Sequence, residues 1–242
     1  MATNSTNAID AIKKHGLIYL LHNAFNRLVP SWLFRFAVMN VYEIDHESLR
    51  STRPSPQVSC DIATRQGDIE ALRNATFMFQ PDARVKHHVG YRASIPTDAA
   101  HREDETLELA GGVWGGTGAY FEDELGFRID LQDHQAWVYC AYVQKAARGK
   151  GVYTNVLTFA ANDLIAKGHD SVLLSVMPWN RKSITVHERL TRGPVGRIVA
   201  VRIFKCALVL AFGDLSQSAW WTTDLSSHPI TIHLQAARNG QL

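Results

Sequence analysis

The chain has 242 residues, 46% of them hydrophobic and 20% charged, with a formal net charge of +2. That is enough apolar content for a buried core, and it excludes a disordered chain. So mild and dispersed a positive charge excludes the dense basic patch of a nucleic-acid binder, and no such partner is expected.

Met1–Asp10 is polar, without the basic-then-apolar order of a secretory signal. No run approaches the roughly 20 apolar residues that span a bilayer. A soluble, cytoplasmic protein is the expectation. Residues 8–28 place Ile9, Ile12, Leu17, Leu20, Leu21, Phe25 and Leu28 at helical spacing, and Pro30 sets the end. Residues 31–43 continue apolar, with room for a strand, and residues 45–56 read as a linker. A strand over 58–64 precedes a helix starting near Gly67, with Asp68 in its first turn. Residues 87–95 are ambiguous. Residues 106–120 are glycine-rich around Trp114 and read as two strands joined by a tight turn or bulge.

The chain then becomes more regular. Residues 136–143 are β-branched and aromatic and read as a strand. Residues 144–150 form a loop, and a helix begins at Gly151 with Val152, Val156, Leu157, Ala160, Leu164 and Ile165 on one stripe. Lys167-Gly168 supplies its stop. A strand over 171–177, a break at Pro178-Trp179-Asn180, and a helix over 183–190 capped by Asn180 follow. Residues 195–202 and 206–212 read as two more strands. The tail after Gly213 stays unassigned. The cysteines Cys60, Cys140 and Cys206 are widely spaced and lack a Cys-x-x-Cys pair, which argues against disulfides or a zinc site. Cys140 and Cys206 lie in apolar runs and are expected as buried thiols. The pair His87-His88 has no partner cluster at ligand spacing, so no metal is expected.

The chemistry concentrates where a strand runs through Arg148-Gly149-Lys150-Gly151-Val152-Tyr153 into a helix. Glycines at 149 and 151 permit unusual φ and a close ligand approach. The free N–H groups and dipole of the helix start favour an anion. A Walker A loop fails, because Gln144 stands at its first glycine and Gly151 follows the lysine. A Rossmann fingerprint is weak, because Thr154 takes its last glycine position and no acidic residue ends the second strand.

Arg148 and Gly151 resemble the acyl-CoA loop of the GNAT (N-acetyltransferase) superfamily, with a departure at Tyr153, where that family has Gly or Ala. Asn180, Ser183, His187 and Leu190 are similar to its second signature, although Thr191-Arg192 separates Leu190 from Gly193. The resemblance spans residues 58–212, with residues 58–72 as first strand and helix and 111–120 as middle hairpin. It implies an α+β, three-layer fold: a central mixed, mostly antiparallel sheet with flanking helices. It also implies division into an N-terminal helical extension with linker (1–57), an acyltransferase domain (58–213) and a tail (214–242).

The implied activity is direct transfer of acetyl from acetyl-CoA to a primary amine on a small molecule or peptide, without a metal. Ala141, Tyr142 and Val143 would hold the pantetheine and thioester oxygen. Arg148, Gly149, Lys150, Gly151, Val152 and Tyr153 would cradle the pyrophosphate, with Asn180 and Ser183 as further contacts or simple capping residues. His187 occupies the place of the family's acidic tyrosine. Glu122, with its neighbours Asp123 and Glu124, is a candidate base, and His134 is another. Trp114 and Trp137 fit the core better than an acceptor pocket. A non-catalytic CoA-binding module and a transferase of longer acyl chains are the alternatives. Residues 8–36, with Lys13, Lys14, Arg27 and Arg35 beside apolar groups, suit a covering helix, an oligomer contact or a peripheral membrane contact.

Overall fold

The computed structural model describes residues 17–30, 32–50, 55–78, 85–95, 109–122, 124–225 and 229–234. The helix expected over 8–28 is α1, Leu17–Leu28; the part before Leu17 lies outside the described residues. The chain then enters β1, Phe34–Asp45, a twelve-residue strand. The expected linker contains a short helix, α2, His46–Arg50. Strand β2 (Ser59–Ile62) and helix α3 (Gln66–Thr76) follow. The ambiguous 87–95 stretch lies in strand β3, Val85–Ser94.

The glycine-rich segment is a correction to the expected two strands: it is one fourteen-residue strand, β4, Leu109–Glu122. Its glycines serve helix packing rather than a turn. A Cβ on Gly111 would meet Val152 at 2.7 Å, and one on Gly112 would meet Leu72 at 2.3 Å. Successive strand residues face opposite ways, so two adjacent glycines let a helix approach from each side.

Strands β5 (Phe127–Asp130) and β6 (Gln135–Val143) lead to helix α4, Val152–Ala166. Strand β7 (Ser171–Val176), helix α5 (Arg181–Leu190), and strands β8 (Pro194–Ile203) and β9 (Cys206–Gly213) follow. The unassigned tail forms β10 (Leu215–Gln217), β11 (Trp221–Thr222) and β12 (Ile230–Leu234).

Together these strands make one mixed sheet in the order β10-β12-β5-β4-β6-β7-β1-β8-β9-β11, with β2 and β3 on a branch from β4. Pairings β6–β7 and β12–β5 are parallel; the others are antiparallel. The sheet curls until its ends meet. The Gln217 side chain in β10 accepts from Ala211 N at 2.5 Å and donates to Val209 O at 3.1 Å in β9. One core fills the curl, around Val41, Trp114, Trp137, Ile198, Val209 and Ile232, with Leu72 of α3 packed into it. The other lies between the opposite face and α4, around Val113, Val138, Val156, Leu157 and Leu174. Trp114 and Trp137 are therefore core residues, the former donating to Thr76 Oγ1 at 2.9 Å.

The boundary expected at residue 57 does not separate two bodies. β1 lies between β7 and β8, pairing Asn40 with Val176 and Val38 with Val199. Residues 34–45 are an interior strand of the sheet. The tail is likewise built in, with Ile230 and Ile232 buried. Cys206 also departs from expectation: it is exposed, because it points outward from β9.

Candidate active site

The site begins with a strand that leaves its neighbour. β6 runs beside β7 from Gln135–Ser171 to Val138–Leu174, and the pairing stops there. Beyond Val138, β6 stays on β4 while β7 continues along β1. A register shift between Gly112 and Trp114 sets Cys140–Ala141 opposite Val113 alone, and Cys140 takes φ +49°. Such a bulge bends the strand outward and re-aims its backbone. A left-handed cysteine costs about 1–3 kcal/mol, a cost that persists only where surrounding structure enforces it.

The gap opens onto a cleft of about 720 Å³. One wall is the free end of β6: Ala141, Tyr142 and Val143. The floor is the turn into α4, with Ala147, Arg148, Gly149, Gly151, Val152, Tyr153 and Thr154. Gly149 and Gly151 hold φ +84° and +79°, which glycine adopts without strain. Gly151 is the N-cap of α4, and no side chain caps that end. The first amides of the helix are thus directed at the cleft with the positive end of its dipole.

Asn155 fixes this turn. Buried one turn into α4, it donates to Gly151 O at 2.8 Å and accepts from Ser55 N at 2.8 Å. Sequence reading passed over it, because an asparagine inside a helical stripe gives no outward signal.

α5 forms the opposite wall with Asn180, Lys182, Ser183, Thr185, Val186 and Arg189. Asn180 caps the helix by accepting from Ser183 N. Lys182, Val186 and Arg189 were not foreseen, yet their i, i+4, i+7 spacing from residue 182 puts them on one face. Arg148, Lys182 and Arg189 give the lining three cations, and it contains no carboxylate. Ten of the eleven residues expected to bind the co-substrate therefore line one cleft; Lys150 is exposed and is not part of that lining.

His187 is on a different stripe of α5, with Ile184 and Leu190, and is 1% exposed. Its Nε2 lies 2.7 Å from the Tyr153 hydroxyl. Its ring meets the edge of Tyr42 from β1 at 5.0 Å. Burial lowers its pKa to about 4, so the imidazole is neutral near pH 7. Burial also raises the Tyr153 pKa, keeping the phenol protonated. His187 thus reaches the cleft through Tyr153, the residue that departs from the expected loop pattern.

The candidate bases are elsewhere. Gly112 pairs with Tyr142, and Glu122 is ten residues further along β4, roughly 30 Å of extended strand. There Glu122 accepts from Tyr120. Glu124 is in the following turn, paired with Arg35; Asp123 is outside the described residues. His134 precedes β6 at the end remote from the cleft, its carbonyl accepting from Asp170 N at 2.8 Å. Among the described residues no group of three metal-ligating side chains occurs, and no helix is long and apolar enough to cross a membrane.

Comparison with known proteins bears on this geometry. Residues 72–191 match the acetyltransferase (GNAT) family. The chain is similar to a solved GCN5-related N-acetyltransferase from Kribbella flavida, with 10% identity and a TM-score of 0.42, covering 66% of this chain and 54% of that one. It is also similar to a GCN5-related N-acetyltransferase-like protein from Streptococcus suis, with 8% identity and a TM-score of 0.47, covering 78% and 68%. The chain thus spans little more than half the length of the Kribbella protein. No curated protein matches the chain. The family match runs from α3 to the end of α5 and contains every residue lining the cleft. On that match, the chain belongs to the GNAT acetyltransferase superfamily.

Proposed function

We propose that the protein is an acyl-CoA-dependent N-acyltransferase that moves acetyl from acetyl-CoA to a primary amine. The observation that carries this reading is the parting of β6 from β7 above an uncapped, cation-flanked helix start. The pyrophosphate would sit on the amides of residues 149–154, where the helix dipole favours it. Arg148, Lys182 and Arg189 would take the remaining phosphate charge. Amides of Ala141–Val143 on the edge that β7 leaves would hold the pantetheine and meet the oxyanion that develops on the thioester oxygen. A cytoplasmic location, where acyl-CoA is made, follows from this reading.

The amine nitrogen attacks the thioester carbon, the C–S bond breaks, and the proton lost by nitrogen ends on sulfur. Tyr153 is the group placed to help that departure. His187 Nδ1 is buried with no hydrogen-bond partner among the described residues. A buried acceptor is more readily left unpaired than a buried N–H, so the ring proton belongs on Nε2. The imidazole then donates to the Tyr153 oxygen, and the phenolic O–H is free to point at the leaving sulfur. His187 is a positioning residue in this scheme, and Glu122 has no part. With no carboxylate or histidine in the lining, the amine enters as the neutral base, its proton lost to water.

An acetyl-transfer assay with thiol detection over a panel of primary amines tests the reading. Tyr153→Phe should lower kcat at least tenfold and leave acetyl-CoA affinity within about twofold, since it removes only the hydroxyl. Unchanged kcat would remove Tyr153 from the reaction. The bare lining also favours a second reading, a CoA-binding module without turnover. Acetyl-CoA binding with no transfer to any amine in the panel would select it.

A further inference from the structure

Large apolar side chains are exposed unevenly on this molecule. Among the described residues, those that stand out, apart from Phe77, belong to the end of α1, the turn into β1, and the outer face of β8, β9 and β11. Five of them form a tip: Phe25, Leu28, Trp32, Ile203 and Phe204 are 45%, 81%, 62%, 50% and 53% exposed. Trp32 packs on Phe204 with ring centroids 5.7 Å apart, and Phe204 N donates to Leu33 O at 2.9 Å. Behind the tip, Leu208, Leu210 and Phe212 face outward from β9, with Trp221 in register beside Leu208.

Phe204 is held in an unfavourable conformation to make this tip. Ile203 pairs with Cys206, so Phe204-Lys205 is a two-residue hairpin turn. Its first position takes φ +54°, where glycine is the usual residue. A turn shaped for folding alone would carry glycine. Instead, an aromatic ring is strained and exposed at the apex, and strain of this kind gathers at functional positions.

The rim of the tip is cationic. Arg27 and Lys205 are exposed beside it, while Arg202 is half-buried and donates to the Phe204 carbonyl at 3.0 Å and the Glu124 carbonyl at 3.2 Å. Glu124, the nearby carboxylate, is already paired with Arg35. Aromatic and aliphatic groups at an apex, ringed by cations, match the interfacial zone of a bilayer with anionic headgroups. A symmetric contact between two copies would set this cationic rim, with Arg27 and Lys205, against the same rim of the other copy, which disfavours it.

We propose that this tip docks the protein peripherally on an anionic lipid surface, with Trp32 and Phe204 entering the headgroup zone and Arg27 and Lys205 facing lipid phosphates. β6 is parallel and β1 antiparallel to β7, so the Val143 end of β6 and the Phe34 end of β1 are at the same end of the sheet. The docked molecule therefore carries its cleft beside the bilayer. On the acyltransferase reading, this suits an amine displayed on a lipid; the docking itself does not depend on that reading.

Co-sedimentation of the full chain with phosphatidylcholine vesicles, with and without phosphatidylserine, tests the proposal. The protein should pellet with the mixed vesicles and much less with pure phosphatidylcholine. Phe204→Gly removes the ring and relieves the positive φ, so it should melt no lower than the parent yet bind vesicles about tenfold less tightly. Lys205→Glu should weaken binding at least fivefold on mixed vesicles only. Failure of the parent to pellet, or unchanged binding by Phe204→Gly, would overturn the proposal. So would conversion of a dimer to a monomer by Phe204→Gly in sedimentation velocity, which would make the tip an interface between copies. Because this assay contains no CoA, its failure is separate from failure of the acyltransferase reading.

Discussion

His187 shows how one helix position can carry the right residue type in an unexpected setting. Its place in the Asn180–Leu190 signature suggested a side chain at the reacting thiol. Instead, it shares the buried stripe with Ile184 and Leu190, under Tyr42 and behind Tyr153. A larger side chain at position 153 and an imidazole at 187 explain one another, because the phenol bridges the distance that the buried ring does not cover. This burial has a pH signature. The folded pKa of about 4 is below the ordinary value of 6.5, so the unfolded chain binds the extra proton between those values. The contribution is complete above pH 6.5 and is lost as pH falls toward 4, at most on the order of 3 kcal/mol. Melting temperature should fall more steeply from pH 7 to pH 5 in the parent protein than in His187→Gln. Parallel curves would show that the imidazole is already charged when folded.

At the scale of elements, the stretch from β6 to α5 was legible because local rules agree there. Val152, Val156, Leu157, Ala160, Leu164 and Ile165 lie on a helix whose cap and stop are marked by glycines, and Asn180 caps α5 as its spacing implied. Elsewhere, tertiary context decided. The glycines of β4 looked like turn residues, but they answer to Leu72 and Val152, which come from other parts of the chain. Position along a strand was equally illegible: Glu122 and His134 are close to the site in sequence and at the wrong end of β4 or β6 in space. Asn155 left no mark in sequence, although it holds Gly151 and Ser55 together. Asn155→Leu keeps the branched shape but leaves the Ser55 N–H without its acceptor, so it should cost about 1–3 kcal/mol. It should also loosen acetyl-CoA binding, read as a smaller ligand-induced rise in melting temperature. A variant that melts normally and binds normally would mean that the turn holds its shape without Asn155.

At the scale of the molecule, the family match and the folded unit do not coincide. Residues 72–191 contain the whole cleft lining, yet β7 rests on β1 from before the match, and β1 rests on β8 from after it. The sheet then closes on itself through Gln217, with β12 parallel to β5. No periodicity in residues 31–43 could announce an interior position, since pairing partners more than a hundred residues away determine it. A chain beginning at residue 58 would leave β7 and β8 without their common partner and expose Ile198 and Ala200. It should melt without a cooperative transition, whereas the full chain should show one. Cooperative melting of the shortened chain would make β1 dispensable.

The free edge of β6, the Asn155 contacts and the Tyr153–His187 pair converge on the turn before α4. Isothermal titration of acetyl-CoA into the full chain, repeated with Gly151→Val, measures that turn directly. Valine at φ +79° is strained by about 1–3 kcal/mol, and relief of that strain would disturb the amides facing the cleft. The parent protein should bind one acetyl-CoA per chain, and Gly151→Val should bind at least tenfold more weakly. No binding heat at millimolar acetyl-CoA, or equal affinity in the two proteins, would contradict a co-substrate site at this cleft.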